Sequence, residues 1–251
     1  MRRLLIRPGA IGDVILSLPE LEQSRAAYTE IWAQRAVLPL LRFADRARAI
    51  ADTGLDLVGV VDTARVPELE SFDSIYSWYG SNRPEFRHAV RHLPVTFFPA
   101  FPISPMGIPR IEVPPVQIEN FAVIHPFSGS LKKNWPMESF RVVASRVASR
   151  LGLPIRWCAG PEEILDPALD DGAVRIADLY QLACRLATAR VYIGNDSGIT
   201  HLAAAAGTPV VAIFLTTDPA VWAPRGTRVV VVRNPTPEEV VAAARRAISL
   251  R

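Results

Sequence analysis

Ile193-Gly194-Asn195-Asp196-Ser197-Gly198-Ile199-Thr200-His201-Leu202-Ala203-Ala204-Ala205-Ala206-Gly207 governs how the rest of the chain is read. An apolar run ends, small and polar residues turn the chain, and an alanine-rich run follows, closed by a glycine suited to a helix C-terminal cap. Strand, tight polar turn and helix in succession form the unit of a parallel α/β sheet. The helix opens with unpaired backbone amides and the positive end of its dipole, both of which suit a diphosphate. Asp196, Ser197 and Gly198 occupy the turn, and His201, one helical turn beyond Ser197, can point back to the same ligand. Taken singly, Asp196 or Ser197 reads as an N-cap and His201 as a core histidine.

The pattern extends in both directions. Strands are expected at 120–124, 154–158, 190–193, 210–215 and 228–232, and helices at about 137–151, 179–188, 198–206 and 237–249. Pro136 suits a first helical turn, and Thr236-Pro237-Glu238-Glu239 has capping-box spacing with proline at the first helical position. The last helix is expected to bury Val240, Ala244 and Ile248. In the first half, Arg3 to Arg7 reads as a strand, Pro8 to Gly12 as a tight turn, and Asp13 to Tyr28 as a helix with Val14, Leu18 and Leu21 on one face. Leu57–Val61, Ser74–Ser77 and Val95–Phe98 are further strand candidates, with helical or mixed stretches near 38–52 and 84–92. Seven prolines between Pro94 and Pro115 oppose regular structure and suit an extended linker. The expectation is an α/β protein of two Rossmann-like domains facing across a cleft, residues 1–115 and 116–251.

Composition narrows the class. The 251 residues are 49% hydrophobic, enough for a sizeable core. No apolar run approaches the roughly 18–20 residues that span a bilayer. Arg7, Pro8, Gly9 and Asp13 interrupt the N-terminal apolar run too early for a signal peptide, so a cytoplasmic protein is expected. A net charge of +3 with scattered arginines does not indicate nucleic acid. Cys158 and Cys184 lack metal-ligand spacing and read as reduced core thiols. No metal and no cofactor is expected.

Two further turns carry chemistry. A strand ending at Ile124 leads into His125-Pro126-Phe127-Ser128-Gly129-Ser130-Leu131-Lys132-Lys133-Asn134-Trp135-Pro136. Small Ser128, Gly129 and Ser130 let backbone amides approach a phosphate, and the only two lysines among 28 basic residues, Lys132 and Lys133, lie beside them. The loop is neither a Walker motif nor a G-x-G-x-x-G fingerprint, and an ordinary polar loop is the plain alternative. In Pro8-Gly9-Ala10-Ile11-Gly12-Asp13, two glycines permit a close turn and place Asp13 at a helix start. There the carboxylate either favours the helix dipole or accepts a proton from a hydroxyl.

Together these strings resemble glycosyltransferase family 9, the bacterial heptosyltransferases of the lipopolysaccharide inner core, over His125 to Pro136, Ala159-Gly160-Pro161-Glu162-Glu163 and Asp178 to Pro224. The resemblance implies a GT-B fold with an acceptor-side N-terminal domain, a donor-binding C-terminal domain, and inverting, metal-independent transfer from a nucleotide sugar, ADP-heptose foremost, to a glycan or glycolipid. It implies Asp13 as general base and Lys133 as the lysine of a Lys-x-Trp-Pro loop. Gly12, Ser128, Gly129, Ser130, Lys132, Asp196, Ser197, Gly198 and His201 fall to donor binding, and either Glu162 or Glu163 lies near the nucleoside. Phe127 stands where the family commonly has a small residue, and the N-terminal half is short for the family. That shortness motivates the alternative of a catalytically idle nucleotide-binding protein. A Rossmann oxidoreductase lacks its glycine fingerprint with an acidic residue about 20 positions on. If the acceptor is lipid-linked, exposed arginines of the N-terminal domain suit an anionic membrane surface.

Overall fold

A computed structural model describes residues 1–61, 64–99, 107–170 and 172–250. It contains two compact units, Met1–Gly107 and Ile108–Arg251. Residues 100–106 of the proline-rich stretch lie outside the described residues.

The first unit holds β1 (Arg2–Arg7), α1 (Ile11–Gln23), β2 (Tyr28–Ala33), β3 (Arg46–Ala49), β4 (Ser74–Ser77), α2 (Pro84–Ala89) and β5 (Val95–Phe97). All pairings are parallel, in the order β3-β2-β1-β4-β5. Leu4, Leu5 and Ile6 of β1 are buried in succession, as a strand covered on both faces requires. Leu4, Ile6, Trp32, Phe72, Ile75 and Phe86 form much of one core.

This unit departs from the sequence expectation in three places, the simplest being β3, a strand inside the stretch 38–52 expected to be helical or mixed. The first helix starts at Ile11 and stops at Gln23, so Tyr28 opens a strand instead of ending a helix. That strand buries Glu30, whose carboxylate accepts hydrogen bonds from Trp32 Nε1 at 2.8 Å and the Tyr28 hydroxyl at 3.3 Å. A satisfied buried carboxylate hides the apolar signature. Leu57–Val61 is not a strand: Leu55–Leu57 is a 3-10 turn, and Val58 and Val61 meet only in an isolated bridge.

The second unit follows the expected alternation closely. It comprises β6 (Ala122–His125), α3 (Met137–Leu151), β7 (Ile155–Trp157), α4 (Pro167–Asp170), α5 (Leu179–Ala187), β8 (Val191–Asn195), α6 (Gly198–Ala205), β9 (Val210–Phe214), α7 (Pro219–Trp222), β10 (Val229–Arg233) and α8 (Pro237–Ser249). Its parallel sheet runs β10-β9-β8-β6-β7. Pro136 is the N-cap of α3 and not its first helical residue; its ψ of 134° stays extended while Met137 begins the helix. Gly207 follows α6 with φ +84°, a left-handed conformation that glycine adopts without a Cβ penalty. At α8 the Thr236 hydroxyl accepts from the Glu239 amide and the Glu239 carboxylate accepts from the Thr236 amide, a complete capping box. Val240 and Ala244 are buried and Ile248 packs beside them.

Strand order marks one switch point in each unit. In unit one it reverses between β1 and β4, and in unit two between β6 and β8. Ligands of open α/β sheets bind beyond the carboxyl ends of the strands at such switch points.

Candidate functional site

β6 and β8 lie side by side, with Ile124 opposite Ile193 and His125 opposite Gly194, so the loops that leave them start as neighbours. Asn195, the last residue of β8, is fully buried. Its Oδ1 accepts from the Trp135 amide at 3.0 Å and its Nδ2 donates to the Pro126 carbonyl at 2.7 Å. One amide thus fixes both ends of the 126–135 loop. The Ser128 hydroxyl lies 2.8 Å from both the Ser130 carbonyl and Asn134 Oδ1, folding the loop on itself. Gly129 is exposed, with open space around it, and Lys132 is exposed too. Phe127 turns inward, packing on the core with its ring edge-on to His125.

Lys133 ends a 3-10 turn, and its Nζ lies 2.8 Å from Asp196 Oδ2. The Asp196 side chain is only 6% exposed against 31% for Lys133, so the carboxylate lies beneath and the ammonium nearer solvent. Oδ2 also accepts from the Thr217 hydroxyl at 2.6 Å, while the Asp196 amide donates to the Ile213 carbonyl. An ammonium has three donors, so Lys133 keeps two after engaging Asp196.

Ser197 is the N-cap of α6; its hydroxyl accepts from the Thr200 amide at 3.4 Å. The Thr200 hydroxyl donates to the Asn195 carbonyl and lies 3.2 Å from the Tyr192 hydroxyl. Tyr192 reaches that far because it crosses Gly194, where an added Cβ would meet the tyrosine oxygen at 2.6 Å. The start of α6 is therefore pinned from below. Gly198 is its first residue, and His201 is buried within it.

On the other side of β6, buried His125 places Nε2 3.0 Å from Glu163 Oε2, which also accepts from the Gly160 amide at 2.6 Å. Burial pushes the Glu163 carboxyl up, but the His125 hydrogen bond and charge, the Gly160 amide and Arg175 together hold it below the usual carboxylate range. Arg175 closes the turn by donating to the Gly160 and Glu163 carbonyls. Glu162 is exposed. Buried Cys158 has its thiol pushed up to about 12 by burial, with the Glu163 charge adding and Arg175 opposing. Both cysteines are free.

In the first unit Gly12 and Asp13 are the second and third residues of α1, and Asp13 Oδ2 accepts from the Ala10 amide at 2.9 Å. The turn is tight. Gly9 has φ +123°, and a Cβ there would come within 3.0 Å of the Asp13 carboxylate.

A family model described as glycosyltransferase family 9 (heptosyltransferase) matches residues 112–246, over half of the chain. The chain belongs to glycosyltransferase family 9. As a family 9 member it is a glycosyltransferase. E. coli ADP-heptose lps heptosyltransferase II matches at 16% identity over 99% of both chains, with a TM-score of 0.72. The family 9 glycosyl transferase from Veillonella parvula matches at 16% identity over 99% of this chain and 97% of its own, TM-score 0.75. E. coli heptosyltransferase WaaC with ADP matches at 16% identity over 98% of this chain and 100% of its own, TM-score 0.72. At these identities the likeness concerns the fold, which is GT-B. Among curated proteins no sequence match is found.

Within this family 9 fold, Lys133, Asp196, Ser197 and Gly198 come together at one switch point, and Ser128, Gly129, Ser130 and Lys132 share the loop that Lys133 anchors. Glu162 and Glu163 separate: the first is exposed, the second tied to His125. Sequence reasoning missed Asn195, Thr217, Thr200 and His125. Of these only Asn195 gave a signal, a polar amide ending an otherwise apolar strand next to Asp196. Among the described residues no group of three His, Cys, Asp or Glu side chains could hold a metal ion, and no helix is long and apolar enough to cross a membrane.

Proposed function

We propose that this chain is an inverting, metal-independent glycosyltransferase that moves heptose from ADP-heptose to a lipopolysaccharide-type glycan. The Lys133–Asp196 pair carries the proposal. It sets a cation with spare donors beside the start of α6, at the switch point of the C-terminal sheet. That combination suits a nucleoside diphosphate. Support for the donor comes from fold relatives solved with ADP and with ADP-2-deoxy-2-fluoro heptose, both structures of E. coli WaaC.

In this mechanism the Asp13 carboxylate takes the proton of the acceptor hydroxyl as its oxygen attacks the anomeric carbon from the face opposite the nucleotide. The bond to the diphosphate breaks and configuration inverts. Lys133 and the amides opening α6 neutralise the departing diphosphate, a task that in other transferases falls to a divalent cation. Asp196 holds the lysine in place, Ser128 to Ser130 offer amides to phosphate oxygens, Ser197 and His201 shape the start of α6, and Glu162 or Glu163 serves the nucleoside. Residues 1–115 serve the acceptor and 116–251 the donor. The enzyme works in the cytoplasm, where a lipid-linked acceptor would draw it to the inner face of the membrane.

The test is to incubate the protein with ADP-heptose and an inner-core glycan in excess EDTA, following ADP release and the anomeric configuration of the product by NMR. The proposal expects ADP release and an inverted linkage. Retained configuration, or turnover that appears only on adding a divalent cation, would refute it. Donor binding with no release of ADP or free sugar would mark an idle binding protein.

A further inference from the structure

Arg7 ends β1 with its side chain almost wholly buried, at 2% exposure. Arginine is rarely buried so completely unless its charge is matched. The nearby Asp13 and Glu20 carboxylates favour its charge, opposing the cost of burial, while its hydrogen bonds go to neutral acceptors of one turn. Nη1 donates to the Pro8 carbonyl at 2.6 Å, Nη2 to the Asp13 carbonyl at 3.1 Å, and Nε to the Ser17 hydroxyl at 2.9 Å. Ser17 passes the link on, its hydroxyl donating to the same Asp13 carbonyl at 2.9 Å. The guanidinium thus grips the chain just before the turn, at Asp13 itself, and one helical turn later.

A helix start needs no such device, since the Asp13 carboxylate already caps the Ala10 amide with Oδ2. What the grip adds is a fixed backbone at Asp13. The turn also closes tightly on the guanidinium, because a Cβ at Gly9 would lie 3.3 Å from Arg7 Nη1 and 3.0 Å from Asp13 Oδ2. Among the described residues Asp13 Oδ1 takes no hydrogen bond, so one carboxylate oxygen is committed to the turn and the other is left for chemistry.

We infer that Arg7, with Ser17, is a positioning residue for Asp13, locking the turn so that the Asp13 carboxylate is presented in one orientation to the acceptor hydroxyl. This rests on Asp13 being the general base. Small misplacements of a reacting group cost up to about 100-fold in rate. Arg7→Met should therefore lower kcat about 10- to 100-fold while leaving ADP affinity and the donor KM within about twofold. Arg7→Lys, which keeps the charge but cannot make the fork, should recover only part of the rate. Ser17→Ala, which removes a single hydroxyl from the network, should cost several-fold on its own.

The experiment measures kcat, donor KM, ADP affinity and thermal unfolding for Arg7→Met, Arg7→Lys, Ser17→Ala, Asp13→Ala, and Arg7→Met combined with Asp13→Ala. Loss of kcat alone in the Arg7 and Ser17 variants, with no further loss when Arg7→Met is added to Asp13→Ala, supports positioning. If the Arg7 variants do not fold, Ser17→Ala decides: wild-type kcat overturns the inference and a selective loss supports it. A fall in ADP affinity matching the fall in kcat overturns it as well. Full turnover by Asp13→Ala removes the base assignment, whereas an inactive Asp13→Ala beside fully active Arg7 and Ser17 variants removes only the positioning role.

Discussion

The two switch-point turns are built with opposite polarity. At β1 a buried cation, Arg7, underlies a half-buried carboxylate, Asp13; at β6 and β8 a buried carboxylate, Asp196, underlies a half-exposed ammonium, Lys133. Loop support differs in the same sense. The first turn hangs on the charged fork of Arg7, the second on the neutral amide of Asn195. Each turn presents the charge its proposed chemistry uses and buries the opposite one, a base toward an acceptor hydroxyl and a cation toward a diphosphate. A buried charge costs free energy unless its hydrogen bonds are made, and both are made here: three donors of Arg7 to oxygen, and Asp196 to Thr217 as well as Lys133.

The comparison breaks most visibly at Asp13. Asp13→Asn should lower kcat about 10²- to 10⁴-fold with ADP affinity unchanged by calorimetry, because in the proposed mechanism the carboxylate takes the acceptor proton and does not hold the nucleotide. Equal loss of both would mean the turn serves the donor instead. Next in size is Asn195→Leu, which orphans the Trp135 amide and the Pro126 carbonyl. At about 1–3 kcal/mol for each buried group, it should cost on the order of 2–6 kcal/mol in denaturant unfolding. A loss below about 1 kcal/mol would mean that water replaces the amide.

Smaller effects sharpen the picture around the second turn. Glu163 has its carboxyl lowered from 4.5 in the folded state, so its contribution is present above about pH 4.5 and lost as pH falls through the depressed folded value. Glu163→Gln should therefore melt below wild type near pH 7 and converge with it in strong acid. With the side chain 30% exposed, the difference should be about 1 kcal/mol or less. A gap that widens on acidification would contradict the sign. Thr236→Ala, removing the cap of α8, should cost about 1 kcal/mol and leave ADP affinity untouched.

The second unit was the more legible in sequence because its three central strands, β6, β8 and β9, are buried throughout and its helices carry recognisable starts and stops. Val210–Phe214 is buried throughout, and Thr236 to Glu239 makes the capping box its spacing predicts. In the first unit the rule failed at β2, where buried Glu30 and Thr29 interrupt the apolar pattern, and at 57–61, where an apolar run leaves a 3-10 turn and forms only an isolated bridge. The charged members of the candidate site were legible because lysine, aspartate and glycine stood together in turns. Their supports were not. Asn195 acts on Pro126 and Trp135, 69 and 60 residues away, and nothing in a single sequence announces such a contact. Arg7 read only as a charge ending a strand, since local pattern does not show that a strand-end arginine is covered.

The most direct test of the central claim, a nucleoside diphosphate site built on Lys133 and Asp196, is calorimetric titration of ADP into the wild-type protein and into Lys133→Ala, with circular dichroism confirming that both are folded. Loss of a charge-assisted contact of about 1.5–3 kcal/mol should weaken ADP binding roughly 10- to 150-fold. ADP bound equally well by a folded Lys133→Ala would contradict the account.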